Sequence, residues 1–404
     1  MMNLLNVSRR VSLILIGFGF GSLGLHASAF AEPARPAWLR PGTKVVYFEG
    51  QAQISNAVTK VTFDENGNMT VNGRVVGEEA IPGGAGGGFV VFEFGSVDPQ
   101  NLTTVMNRYI FADANLQSVA PIEGVPSLGG AAPALVPSAY WRDPAELAQI
   151  QNGALSPGVF VLRMKYPFNN TQLDAIRIVT NTEAGSSAVT YDLNTGMAIN
   201  SSFSGGSNGL LLNTNPNTGL QQTGTTVSIS RLIAMQDVNL PWENMPVPAW
   251  VAQTNELTYN VDLHKFIPDA MDVHQPAVVT LKVTGRGPSW FTYDVFAQGQ
   301  ANGQQFGQPV GRMVASSGNH MSLFLPPQII NQLREGQVLD QDPTLKLQWV
   351  VSSVNQQSVV ISEVGAAYRL DAIYDRNGVM VEQVLRRQDG VCTTTLRLTL
   401  AGRR

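Results

Sequence analysis

Apolar positions along this chain recur mostly every second residue. "TKVVYFEG" (43–50), "VFVLRMKY" (159–166), "DAIRIVTN" (174–181) and "LKLQWVVS" (345–352) all carry this alternation, which predicts half-buried β-strands. Asn66-Gly67 and Asn72-Gly73 punctuate one such region as tight turns. Two segments switch to helical spacing. In "DPAELAQIQNG" (143–153), Asp143 suits an N-cap, Pro144 the first helical position and Gly153 the stop. Leu147 and Ile150 then share one face. In "PPQIINQLREG" (326–336), Ile329, Ile330 and Leu333 form the equivalent face. The pattern predicts a mainly β protein of antiparallel strands with two short amphipathic helices.

The pattern also repeats. "PAWLRPGTKVVY" (36–47) is echoed by "PAWVAQTNELTY" (248–259), at an offset of 212 residues. A longer echo sets "YWRDPAELAQIQNGALSPGVFVLRMKY" (140–166) against "LFLPPQIINQLREGQVLDQDPTLKLQW" (323–349), at an offset of 183. The same offset brings Tyr191-Asp192 onto Tyr374-Asp375. The expectation is a tandem duplication of one antiparallel β unit, an open half-barrel or a sandwich, with one helix per repeat. Repeat 1 spans 36–235 and repeat 2 spans 248–404. Between them, 236–247 reads as a proline-rich linker. "PGGAGGG" (82–88) and the polar, glycine-rich 204–224 read as loops.

Composition adds a destination. Arg9 and Arg10 precede the apolar run "VSLILIGFGFGSLGL", and Ala29-Phe30-Ala31 follows. These are the parts of a signal peptide over 1–31, with cleavage expected after Ala31 and a periplasmic or extracellular mature protein. Cleavage moves the net charge from -4 to -6, because 24 basic residues then face 30 acidic ones. No basic stripe exists to hold nucleic acid. No later apolar run is long enough to span a membrane as a helix. The sole cysteine, Cys392, cannot form an internal disulfide and reads as a small residue on the last strand.

Candidate chemistry is sparse. "YDLNTG" (191–196) begins like a calcium loop, but Gly196 arrives one position early and no glutamate closes it. With "YDRNG" (374–378) as its counterpart, it reads as a hairpin turn in which the aspartate bonds nearby backbone. Ser207 in "GGSNG" matches G-x-S-x-G only formally, without a strand-to-helix elbow. The glycine run lacks the lysine of a phosphate loop. After cleavage the histidines are His264, His274 and His320. Asp262, His264, Asp272 and His274 lie in one stretch, "VDLHKFIPDAMDVH" (261–274), read as a strand followed by a solvated loop. With His320 they are the candidates for acid–base or metal chemistry. Trp38, Trp141, Trp250, Trp290 and Trp349, on strands or strand edges, are the candidates for apolar ligand contacts. No cofactor motif is present.

In general architecture such a chain is similar to exported lipoprotein-carrier half-barrels, which implies a curved sheet with a helix at its mouth. The leading reading is a non-catalytic exported binding or carrier protein, its ligand apolar or lipid-like. An exported Asp/His enzyme with its site in repeat 2 is the second. A structural component of an envelope assembly, pairing through strand edges, is the third.

Overall fold

The computed structural model describes residues from Trp38 to Arg404, apart from 39, 41, 55–60, 72–73, 76–86, 98–101, 113–118, 122–128, 134–139, 183–184, 207–224 and 302–303. Residues 1–31, expected to be a signal peptide, Ser207 and the expected turn at Asn72-Gly73 lie outside the described residues.

The first half contains β1 (Thr43–Ile54), β2 (Val61–Phe63), β3 (Met69–Val71), β4 (Arg74–Val75), β5 (Gly87–Val97), β6 (Leu102–Ala112), β7 (Val119–Pro121) and β8 (Gly129–Pro133). Helix α1 (Pro144–Gln149) follows, and then β9 (Gly153–Ser156), β10 (Val159–Phe168), β11 (Thr171–Asn181), β12 (Gly185–Asp192), β13 (Ala198–Gly206) and β14 (Thr225–Asp237). The second half contains α2 (Ala249–Gln253), β15 (Glu256–Ile267), β16 (Met271–Arg286), β17 (Trp290–Ala301), β18 (Gln304–Ser316) and α3 (Pro327–Ile330). It ends with β19 (Val338–Asp342), β20 (Leu347–Val354), β21 (Ser358–Val364), β22 (Tyr368–Asp375), β23 (Met380–Asp389) and β24 (Cys392–Arg403).

The protein is mainly β, and its large sheets are antiparallel and open. Strand pairing in the first half runs β9–β10–β11–β12–β13–β14–β1–β5–β6, with β7 and β8 beyond β6. In the second it runs β19–β20–β21–β22–β23–β24–β15–β16–β17–β18. In each half, then, the first strand pairs with the last. β8 also pairs with β18, which joins the sheets. The small sheet β2–β3–β4 packs Phe63 and Met69 against Val179, Ala188 and Val227. Its Asn66-Gly67 turn forms as read, with Asp64 accepting from the backbone of Asn66 and Asn68.

Irregular features occur at corresponding positions of the two halves. β1 shifts register at Val46/Tyr47, and β15 at Thr258/Tyr259. β12 shifts at Thr190/Tyr191, and β22 at Ile373/Tyr374. The Tyr47 hydroxyl donates to the carbonyl of Ala198, which lies opposite Tyr191. The Tyr259 hydroxyl donates to the carbonyl of Met380, which lies opposite Tyr374. Burial raises the pKa of Tyr47, Tyr259 and Tyr374, so all three stay neutral donors.

The two aspartate turns clamp the helices. Asp192 accepts from the backbone of Asn194 and Thr195 and from the Thr195 hydroxyl, and Asp375 accepts from the backbone of Asn377 and Val379. Each turn's glycine then receives the segment that leads into a helix. Arg142 N–H donates to Gly196 O, and Leu325 N–H donates to Gly378 O. Gly196 and Gly378 have φ of +71° and +77°, and a Cβ on either would lie 1.9 Å from the carbonyl oxygen of Arg142 or Leu325. Alanine at either position combines left-handed strain with that clash. Gly196→Ala and Gly378→Ala should each destabilise by at least ~2 kcal/mol, read from urea unfolding midpoints.

The helices differ from their sequence reading in extent and number. α1 stops at Gln149, short of Gly153, because the Arg163 guanidinium on β10 takes the carbonyls of Leu147, Ala148 and Ile150. Asp143 caps its start as read, accepting from Ala145 N–H. Leu147 and Ile150 do face the sheet, and Ile329, Ile330 and Leu333 are buried. The additional helix, α2, starts after Pro248 and carries Trp250, where a strand edge was expected.

The halves share one core. Val46, Phe89 and Val91 of the first pack in the same apolar cluster as Leu281, Phe291, Leu347 and Trp349 of the second. The segment between the halves packs there too, through Val238, Leu240 and Trp242.

Candidate cation-binding hairpin

The stretch 261–274 is a hairpin, not the strand and loop expected from its sequence. β15 and β16 pair with His264 opposite His274, Asp262 opposite Pro276, and Phe266 opposite Asp272. Ala270 N–H donates to Ile267 O and Asp269 sits at φ +58°, which closes the turn. Strand alternation sends Val261 and Leu263 against the core and Asp262 and His264 to the other face. The turn signal was Pro268-Asp269, between Phe266-Ile267 and Ala270-Met271.

The register sets a compact arrangement. The imidazoles of His264 and His274 stack with centroids 4.0 Å apart and planes 6° apart. Each histidine meets the carboxylate diagonal to it. His264 Nε2 lies 2.9 Å from Asp272 Oδ1, and His274 Nδ1 lies 3.2 Å from both Asp262 oxygens. His274 Nε2 is 4.0 Å from Asp272 Oδ1. The side chains of Asp262, Asp272 and His274 are about half exposed or more, and that of His264 about one third. Diagonal cross-strand reach of this kind is ordinary for long side chains on a sheet. One ligand atom each from His264, Asp272 and His274 lies within 4.8 Å of the other two.

His320 does not join them. It follows β18 and is buried between the halves, where Nδ1 lies 3.1 Å from Glu93 Oε1 and Nε2 lies 2.7 Å from Asp340 Oδ2. Its ring stacks on Trp349 at 3.9 Å. Lys44 Nζ sits 5.0 Å above Trp349 and 2.8 Å from Asp342 Oδ2, an ion pair by distance whose angles lie outside hydrogen-bond geometry. Both charges are buried. Trp349 Nε1 donates to Glu363, as does the Tyr368 hydroxyl. Glu93 and Lys44 belong to the first half, and their partners to the second. Burial alone would lower the pKa of His320, but the adjacent Glu93 and Asp340 carboxylates outweigh it and hold it raised. Burial opposes ionisation of Asp340, yet the imidazole keeps its pKa lowered. Lys44, Glu93, Asp340 and Asp342 escaped the sequence reading, and only the isolated Lys44 inside an apolar strand hinted at a buried partner.

The tryptophans are packing residues. The indole N–H groups of Trp38 and Trp141 both donate to Thr195 O and brace the Asp192 turn. Trp250 packs edge-on to Phe291, under the Arg403 guanidinium. Trp290 is buried against Gly287, and Trp349 is enclosed as described.

Among the described residues no helix is long and apolar enough to cross a membrane, which says nothing about strands. No family model matches the chain. No curated protein matches it. A solved structure from Nostoc punctiforme, described as a protein of unknown function from the DUF3598 family, aligns with 91% of this chain and all of its own. It does so at 9% identity and a TM-score of 0.15, so the likeness carries no functional argument.

Proposed function

We propose that this is an exported, non-catalytic binding protein whose working surface is the β15–β16 hairpin, and that its ligand is a cation. The convergence of Asp262, His264, Asp272 and His274 on an accessible strand face carries this reading. Two acceptor-only carboxylates and two imidazoles offer lone pairs to a positive ligand. The tryptophans proposed for an apolar ligand are spent on packing, so a charged ligand fits better. We also propose that the scaffold arose by tandem duplication. The matched pairing order, bulges and glycine clamps support it, and the histidine hairpin would then be a specialisation of the second unit.

The reading is tested by titrating the mature protein with a divalent metal salt and, separately, with spermidine as an organic cation. The Asp262→Asn/Asp272→Asn double variant should bind whichever cation binds at least ten-fold more weakly. Equal binding by the variant, or no binding of either cation, overturns the reading.

A further inference from the structure

We infer that the hairpin holds a divalent transition metal ion through His264 Nε2, His274 Nε2 and Asp272 Oδ1, with Asp262 as a positioning residue. The inference rests on the cationic-ligand reading above and narrows it to a metal class. Its first support is the pairing of nitrogen atoms. Asp262, when ionised, can only accept, so His274 must carry its proton on Nδ1, which leaves the Nε2 lone pair free on the side facing Asp272. A carboxylate that fixes an imidazole in this way is the usual companion of a metal-binding histidine.

The second support is distance. One ligand atom from each of the three residues lies within 4.8 Å of the other two, and His264 Nε2 and His274 Nε2 lie 2.9 and 4.0 Å from Asp272 Oδ1. A tetrahedral ion with ~2.1 Å bonds needs its ligands about 3.4 Å apart. Binding requires the two stacked rings, now 6° from parallel, to turn about their side-chain torsions so that both in-plane lone pairs converge on one ion while the backbone register stays fixed. Entry of the ion costs one hydrogen bond, because the Nε2–H that His264 now offers Asp272 must give way. His264 takes a proton at Nδ1 through solvent as it loses the one at Nε2, so the imidazole stays neutral and no net proton is consumed. Two imidazoles and one carboxylate are a borderline donor set, which suits Zn(II), Cu(II) or Ni(II) over Ca(II) or Mg(II). Three protein ligands leave at least one coordination position open to water or to a donor carried by a partner.

The experiment is titration of the mature protein with ZnCl2 and with CaCl2 by calorimetry, and electron paramagnetic resonance of the Cu(II) complex. Expected are one equivalent of Zn(II), no comparable Ca(II) binding, and a Cu(II) spectrum with coupling to two nitrogens. His264→Ala and His274→Ala should each weaken Zn(II) at least ten-fold and reduce the coupling to one nitrogen. Asp262→Asn should weaken Zn(II) about 10–100-fold while the Cu(II) complex keeps its two-nitrogen coupling and its g and copper hyperfine values; a shift in those values would make Asp262 a direct oxygen ligand and overturn its positioning role. Circular dichroism checks that the variants fold. Binding of spermidine or Ca(II) without Zn(II) overturns the metal inference and leaves the cationic reading standing. Zn(II) binding that survives both histidine variants overturns the assigned site, and absence of every cation overturns both readings.

Discussion

Replacing Lys44 with methionine should destabilise the protein by about 3–5 kcal/mol, the cost of leaving a buried carboxylate without its cation. Lys44 and Asp342 are both shielded from water, on strands of different halves, and Asp342 lies beside a core that offers little solvation. Gln236 donates to Asp342 Oδ1, as do the backbone N–H groups of Thr344 and Leu345, and these contacts stabilise the carboxylate but do not neutralise it. Removing both charges together is a different case. Lys44→Met/Asp342→Leu should recover a large part of the loss, since replacing a buried pair with apolar side chains is often neutral or better. The loss should appear as weakened docking of the halves, because Lys44, Glu93, His320, Asp340 and Asp342 are ionic contacts between them. Guanidinium unfolding followed by near- and far-ultraviolet circular dichroism checks this. Equal stability of the single variant and wild type would remove the lock from the account of how the halves are held.

The second large effect is on pH. Folding raises the pKa of His320, chiefly because Glu93 and Asp340 overcome the effect of burial. A raised imidazole contributes stability that is fully present below about pH 6.5, its unfolded value, and is lost as pH rises through the folded value. Deprotonation would leave Glu93 and Asp340 facing one another across a neutral ring, with Lys44 the next cation in the cluster. Asp340 acts at the other end. Its lowered pKa contributes stability above its unfolded value near pH 3.9, and that contribution is lost as pH falls through the lowered folded value. Stability of the wild type should therefore decline as pH rises above about 6.5 and through the raised folded value of His320. His320→Gln should start lower and show a flatter profile over that range. Parallel profiles for the two proteins, read from denaturation midpoints at each pH, would show that His320 is not the titrating group.

Much of the fold was legible because it depends on local rules. Alternation of apolar residues fixes which side of a sheet each residue takes, and the strands around Val161 and Trp349 follow it as half-buried strands, whereas β1 is buried on both faces from Thr43 to Tyr47, and Ala175 and Ile176 are both buried. The repeated Tyr-Asp turns were readable from Asp192, Asp375 and the glycines beyond them, since positive φ is a local demand. Helix α1 was readable at its start, where Asp143 and Pro144 act within one turn. Its end was not, because Arg163 arrives from a strand that sequence alone cannot place beside it. α2 was hidden for a related reason: five residues after a proline leave too short a periodic signal to separate from a strand edge.

The candidate site divides in the same way. The sequence by itself determined the residue types available, the alternation that puts Asp262 and His264 on one strand face, and the closeness of Asp272 and His274 along the chain. Only the tertiary structure decided that His264 stands opposite His274, since a shift of one residue in pairing would send one ring to the other face. It also decided that His320 belongs elsewhere, paired with Glu93 227 residues away, and that Trp38, Trp250, Trp290 and Trp349 are buried and Trp141 partly so. Those outcomes follow from which strands meet and which surfaces lose water, and both are sums over contacts between distant parts of the chain.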